Sequence, residues 1–180
     1  MEPRPGGGTV VAAAVVLMLA LAAAAFASSQ PKLDEARPAG VSASATGALR
    51  IADSRGGAAI LRAPALAPGG IAVGGLTISN LGPSARLVLS RSHLTETPGP
   101  GGASLVEALR LRIRFVDGGA GRTVYAGPLA AMPTLRLGLL AANEDRHYRF
   151  VAFLPEPGLL DNSLMGSRIR FDYRWQLTRQ

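Results

Sequence analysis

The sequence predicts an all-β protein, with one β-sandwich domain that contains one or two short helical turns. Its composition is rich in turn formers, with 22 Gly and 13 Pro among 180 residues. Short apolar runs are separated by Gly, Pro and Asn, which is typical of the strands of a sandwich. Two segments, 109–116 and 168–177, alternate strictly between apolar and polar residues. With 48% hydrophobic and 17% charged residues, the chain can form a packed core rather than remain disordered.

The alternation is clearest in the segment 109–116. Its apolar residues share one face and its arginines the other: Leu109, Leu111, Ile113 and Phe115 against Arg110, Arg112 and Arg114. A period of two is typical of a strand with one face on the core and one in water. Ser104 and Glu107 have the spacing of a capping box, which predicts a helical turn before this strand. The glycine-rich segment 117–121 predicts a hairpin into 122–125.

The C-terminal third follows the same pattern. Apolar residues alternate from Tyr148 to Leu154, and Pro155 ends that strand. In the last run the predicted inward residues are Ile169, Phe171, Tyr173, Trp175 and Leu177. Earlier apolar runs at 48–52, 58–62, 71–79 and 85–90 predict further short strands.

The N-terminal residues 1–27 are predicted to be a signal peptide in the form of a helix. Arg4 is followed by an apolar run from Thr9 to Ala27, and the small residues Ala25 and Ala27 predict cleavage before Ser28. The alternative is an uncleaved membrane anchor, because the run approaches the length that spans a bilayer. Residues 28–45 are predicted to form a flexible leader, and residues 46–180 are predicted to form the sandwich domain. No second long apolar run follows, so membrane contact is expected only through this N-terminal segment, if it is uncleaved.

The net charge of +7 has two interpretations. Nineteen basic residues oppose twelve acidic ones, and all the basic residues except Lys32 are arginine. This bias can arise from the codon usage of a GC-rich genome, or it can mark a surface that binds polyanions. Arg110, Arg112 and Arg114 form a row, but no aromatic residue interleaves with them to stack on bases. We therefore expect no nucleic-acid partner and a solvated face, which could face an anionic polymer.

The residue types in the chain exclude most catalytic mechanisms and most kinds of metal site. The chain has no Cys and only two His, His93 and His147, which lie in separate segments without a zinc-binding spacing. The loop 98–102 lacks the Lys and the Ser or Thr of a phosphate-binding loop. The acidic clusters 143–145 and 161–162 carry oxygen ligands suited to calcium, but without EF-hand spacing, so ordinary turns are expected. We predict no catalytic, cofactor-binding or metal-binding residue.

Short pieces of the chain between 45 and 180 follow one another in a familiar order: 45–49, 66–69, 76–80, 105–113, 125–129, 148–155, 161–162, 166–167 and 171–175. In this order they resemble the TasA/camelysin-type secreted proteins of bacteria. The resemblance implies a jelly-roll or immunoglobulin-like sandwich, exported and often tied to extracellular matrix, fibres or the cell envelope. Camelysin-like members are classed as metallopeptidases, but no zinc motif here matches, so no catalytic residue is transferred. The N-terminal segment departs from the family because it lacks a clear form of the motif read by the specialised signal peptidase.

These observations favour a non-enzymatic secreted or cell-envelope protein with a structural role, such as a fibre-forming component of a biofilm matrix. The alternatives are a secreted camelysin-like metallopeptidase and a binding module for anionic envelope polymer. The expected partners are a second copy of the chain or the envelope polymer, and no cofactor is expected. Contact between copies would be head-to-tail, with the free leader added as a strand to the edge of a neighbouring domain.

Overall fold

The computed structural model describes residues 10–17, as backbone, together with 49–63, 66–116, 121–156 and 163–179. Within these ranges the fold consists of nine strands, one short helix and one 3₁₀ turn. The strands are β1 (Val10–Leu17), β2 (Ile51–Asp53), β3 (Ile71–Asn80), β4 (Ala85–Thr97), β5 (Arg110–Val116), β6 (Arg122–Pro128), β7 (Leu135–Leu140), β8 (Asp145–Phe153) and β9 (Arg168–Thr178). The helix α1 spans Leu105–Ala108, and the 3₁₀ turn spans Leu129–Ala131.

The strands form two antiparallel sheets that pack face to face. The four-stranded sheet has the order β1-β9-β4-β7, and the five-stranded sheet has the order β2-β3-β8-β5-β6. This arrangement confirms the all-β sandwich. The predicted hairpin is also confirmed, because β5 and β6 pair antiparallel with Phe115 opposite Arg122. Residues 117–120 of its turn lie outside the described residues.

The core lies where the inward faces of β8 and β9 meet. Phe150, Phe171, Tyr173 and Trp175 are all at most 1% exposed. Phe150 of one sheet lies 5.0 Å from Tyr173 of the other between ring centroids, and Tyr148 lies 5.1 Å from Trp175. Burial of these rings is the main stabilising contribution that joins the sheets. The predicted inward faces of 109–116, 148–154 and 168–177 are therefore confirmed.

The run 58–62 is buried but is not the strand that its apolar residues predicted. Ile60 and Leu61 are at most 2% exposed, yet the segment joins neither sheet. Its chain crosses the inward face of β3 at Gly74, where a Cβ would lie 1.9 Å from the Ile60 carbonyl oxygen. A backbone packed on the face of a sheet cannot join its hydrogen-bond ladder, and only glycine permits so close an approach.

The predicted helical turn before β5 is confirmed by its capping contacts. The Glu107 N–H donates to Ser104 Oγ over 3.3 Å. The Glu96 carboxylate, from the end of β4, accepts hydrogen bonds from the N–H groups of Leu105 and Val106. Helix N–H groups without an intrahelical partner are satisfied in this way, and the carboxylate suits the positive end of the helix.

Within the predicted signal segment, Val10–Leu17 forms a strand and not the expected helix. β1 pairs antiparallel with β9 along its whole length, from Val10 opposite Gln176 to Leu17 opposite Ile169. Four of its eight residues are Val, and β-branched residues favour extended backbone beside an open strand. The rest of 1–27 and the leader 28–45 lie outside the described residues, so the signal peptide and the leader stay predictions. No helix in the described part of the chain has the length and apolarity needed to cross a membrane.

Candidate functional site

The two histidines lie on the outer faces of opposite sheets. His93 sits in the irregular part of β4 with φ +48°, and its Nδ1 lies 3.1 Å from Asp172 Oδ2. His147 lies on β8, with Nδ1 2.7 Å from Thr77 Oγ1. The thickness of the sandwich separates the two imidazoles, so they cannot share a metal ion or a substrate. Among the described residues, no group of three or more His, Asp or Glu side chains is placed to hold a metal ion.

The acidic cluster 143–145 forms the turn between β7 and β8. Glu144 accepts the Ala141 N–H over 2.6 Å and the Arg146 Nε–H over 2.7 Å. Desolvation raises the pKa of Glu144, but these two hydrogen bonds and the charge of Arg146 outweigh it, so the pKa is lowered overall. Asn143 has φ +59°, which Asn tolerates better than most residues. The cluster is therefore explained as a turn. The second cluster, 161–162, lies outside the described residues.

The glycine-rich loop 98–102 packs against the segment 163–167. The Gly99 N–H donates to Oγ of the buried Ser167 over 2.9 Å. A Cβ at Gly99 would lie 1.7 Å from the Met165 carbonyl oxygen. The glycine thus permits close contact between two backbone segments, and its N–H is used within the fold.

Three polar side chains tie the structure together at positions that the sequence analysis missed. The fully buried Asn80 donates from Nδ2 to the carbonyl oxygens of Pro83, Leu140 and Ala141, over 2.9, 3.2 and 2.9 Å. Arg146, on β8, donates to the carbonyl oxygens of Leu137 and Leu139 on β7 in the other sheet. Arg91, on β4, donates to the carbonyl oxygens of Leu129 and Ala130 in the 3₁₀ turn. The sequence does mark the two arginines, because each stands at an inward position of a strand whose other inward residues are apolar.

The Tyr173 hydroxyl is a buried polar group without a hydrogen-bond partner among the described residues. The residue is fully buried. Burial raises the pKa of Tyr173 well above its usual value, and the nearby Arg91 lowers it by less. The hydroxyl is therefore protonated at any ordinary pH, and we assign it no proton-transfer role.

The outer face of the five-stranded sheet combines apolar residues with arginines. Cα partners in a ladder project to the same side of a sheet, so each cross-strand row of partners forms one line on this face. The three rows, read from β3 through β8 to β5, are Ile71–Phe153–Arg110, Val73–Val151–Arg112 and Gly75–Arg149–Arg114. Ile71 and Val73 are 64% and 52% exposed. We call these nine residues the apolar–arginine face.

The outer face of the four-stranded sheet is polar along β9 and the facing part of β4, whereas β7 adds the exposed Leu139. On β4 it carries Ser90 and Ser92, opposite Arg174 and Asp172 of β9. Arg168 and Arg170 are exposed on the same side of β9, as the alternating burial of that strand shows. Asp172, which contacts His93, interrupts this row of arginines.

The third candidate surface is the backbone edge of β9. One side of β9 pairs with β4, and the other side pairs with β1 over eight residues. The edge therefore accepts an added strand along most of its length. Because β1 belongs to the predicted signal segment, this pairing is the observation most relevant to function.

Comparisons with protein-family models, with curated proteins and with solved structures found no match for this chain. The resemblance to the TasA/camelysin-type proteins therefore stays a hypothesis based on the order of short sequence pieces. No catalytic or ligand-binding residue is transferred from it.

Proposed function

We propose that the protein is a non-enzymatic secreted or cell-envelope structural protein that assembles by adding a strand to the edge of β9. The observation that carries this proposal is the pairing of β1 with β9 along eight residues. The register is unbroken over all eight residues, so this edge can accept a complete strand by main-chain hydrogen bonds. Such hydrogen bonds give affinity without needing a particular sequence in the added strand.

Removal of the signal peptide would open this edge. Cleavage before Ser28 removes Val10–Leu17 with the rest of the segment, so β9 becomes the outermost strand of its sheet. β9 has eleven residues and a fully buried inward face. A long, unprotected edge of this kind is a template for pairing with another chain, because its N–H and C=O groups have lost their partners.

The leader of a second copy is the proposed replacement for β1. Ser28–Thr46 has nineteen residues, which reach about 60 Å when extended. The pairing seen with β1 needs eight residues, or about 27 Å of strand. Pro31 and Pro38 each remove one ladder donor, so we expect the pairing to use a stretch where they face away from β9 or lie beyond its end. A contact between the leader of one copy and the edge of the next does not close on itself, so it produces filaments.

Three forms of the chain test this proposal by electron microscopy and sedimentation. The full chain keeps β1 and is expected to remain monomeric, because its edge is occupied. The chain that begins at Ser28 is expected to form filaments, and the chain that begins at Gly47 is expected to remain monomeric because it has an open edge but no leader. Filaments formed equally well without the leader, or a Ser28 chain that stays monomeric at all concentrations and pH values, would contradict strand addition.

A binding module for anionic envelope polymer is the second candidate. It is favoured by the exposed Arg168 and Arg170 on the polar face of the four-stranded sheet, where a flexible polyanion meets no exposed apolar side chain from β9. Retention on a polyanionic resin should fall with salt and should fall further when both arginines are changed to Gln. Retention that is indifferent to both changes would exclude this face as a binding surface.

A further inference from the structure

The apolar–arginine face is a surface feature that strand addition does not explain. Ile71 and Val73 on β3 lie beside Phe153 and Val151 on β8, and they place four apolar side chains in two adjacent rows. Ile71 and Val73 are more than half exposed, while the two β8 residues are half-buried. Exposed apolar side chains are common singly, whereas a contiguous group is a feature of surfaces that bind a partner.

Arginines border this apolar group on one side. Arg110 and Arg112 on β5 continue the two apolar rows, and Arg149 and Arg114 form the next row. Within the described residues, Arg110, Arg112 and Arg149 form no hydrogen bond or ion pair, whereas Arg114 donates to the Gly121 carbonyl oxygen. The outward acidic residue within β8 is Asp145, at the opposite end of the strand from Phe153. The exposed Glu156, which follows the strand at the Phe153 end, lies against Gly69. The face therefore carries unpaired positive charge directly beside exposed apolar surface.

We infer that this face docks on a membrane surface that contains anionic phospholipid. The apolar side chains would enter the boundary between headgroups and acyl chains, and the arginines would pair with lipid phosphates in the headgroup layer. Arginine suits this position because its apolar stem can lie along the bilayer interface while its guanidinium reaches a phosphate.

Two other occupants fit the same residues less well. A polyanionic polymer would neutralise the arginines but leave Ile71 and Val73 in water. A second copy docked face to face would bring four arginines against four arginines, because an isologous contact repeats the same residues on both sides. The proposal is also independent of strand addition, since β9 belongs to the other sheet. It goes beyond the sequence expectation that only the N-terminal segment contacts membrane.

The test is co-sedimentation of the full chain with lipid vesicles. Vesicles of phosphatidylcholine alone are compared with vesicles in which about one third of the lipid is phosphatidylglycerol. Binding to the neutral vesicles measures the contribution of apolar contacts, from the N-terminal segment and from the face itself, in the absence of anionic lipid. We expect tighter binding to the anionic vesicles and a gain that weakens as salt is added.

Three double variants locate the binding surface. Arg110→Gln with Arg112→Gln should weaken anionic-vesicle binding roughly 25-fold, at about fivefold for each arginine. Ile71→Ser with Val73→Ser should weaken it about tenfold, because two exposed apolar side chains no longer leave water. The matched control is Arg86→Gln with Arg136→Gln, which removes the same charge from exposed positions on the other sheet and should change binding less than twofold. All six positions lie on outer faces, so unfolding curves should show that each variant remains folded.

Three outcomes would overturn the inference. Equal binding to neutral and anionic vesicles would show that the arginines do not contribute to membrane binding. Equal loss in the Arg86/Arg136 control would show that only net charge matters. Unchanged vesicle binding in the Ile71/Val73 variant, together with arginine-dependent retention on a polyanionic resin, would assign the face to a polymer.

Discussion

The most specific stability prediction concerns Asn80, because its one buried amide group donates hydrogen bonds to three carbonyl oxygens. Replacing Asn80 with Ala leaves the carbonyl oxygens of Leu140 and Ala141 without this donor, and it also removes the acceptor of the Gly82 N–H. Each buried polar group left unpaired costs about 1–3 kcal/mol. The Pro83 and Ala141 contacts are only partly buried, so water can replace some of them. We therefore expect Asn80→Ala to lower the free energy of unfolding by about 2–4 kcal/mol.

The isosteric change Asn80→Asp separates the hydrogen bonds from the shape of the side chain. It keeps an acceptor for Gly82 but replaces both N–H donors with an oxygen that faces three carbonyl oxygens. At neutral pH it should cost more than Ala, because it adds a buried charge to the lost bonds. Burial raises the pKa of the new carboxyl in the folded state, so its cost should shrink as the pH falls and the protonated group donates again.

Urea unfolding provides the assay, and the buried Trp175 is a convenient fluorescence probe because it is the single Trp of the chain. Ser79→Ala is the matched control, since Ser79 is adjacent and projects to the opposite face. It should change the unfolding free energy by less than about 0.5 kcal/mol. An Asn80→Ala variant as stable as the control, or an Asn80→Asp variant more stable than Asn80→Ala at neutral pH, would refute the role given to this amide.

Three further predictions concern the core and the turn between β7 and β8. Phe171→Asp should prevent folding, because it buries an unpaired charge, whereas Arg170→Asp on the exposed side should be tolerated; similar melting of the two variants would contradict the assigned faces. Tyr173→Phe should leave the free energy of unfolding unchanged or raise it by about 1 kcal/mol, because it removes a buried hydroxyl without a partner; a clear loss in urea unfolding would reveal a missed hydrogen bond. The lowered pKa of Glu144 means that its stabilisation is complete above the ordinary value of 4.5 and is lost as the pH falls through the folded-state pKa. The difference in stability between the protein and Glu144→Gln should therefore shrink on acidification, and a difference that stays constant would contradict this.

Much of the sandwich could be predicted because its longest strands have one apolar and one polar side. Alternation identified the inward aromatic residues of β8 and β9, and the capping residues Ser104 and Glu107 identified the helical turn. The run 58–62 was mistaken for a strand because apolar content does not distinguish a strand from a buried loop. The segment is a loop because the Ile60 backbone packs closely on Gly74. This tertiary contact cannot be seen in the local sequence pattern.

The candidate surfaces were less accessible from sequence because they depend on strand order. The row of Arg110, Arg112 and Arg114 was visible, but its position beside the exposed apolar residues of β3 required β8 to lie between β5 and β3. The polar contacts of Asn80 and Arg146 likewise join segments that are distant along the chain. The pairing of β1 with β9 was hidden because an Ala- and Val-rich run also suits a signal helix.

Amide hydrogen exchange along β9 tests the proposed assembly most directly. In the full chain, the β9 amides that face β1 should exchange slowly, because β1 is their partner. In a dilute solution of the chain that begins at Ser28, the same amides should exchange quickly. Their exchange should become slow again as the concentration rises and filaments form. The β9 amides that face β4 serve as the internal control and should stay protected throughout. Filaments in which the outer β9 amides still exchange quickly, or slow exchange in the dilute Ser28 chain, would contradict strand addition at this edge.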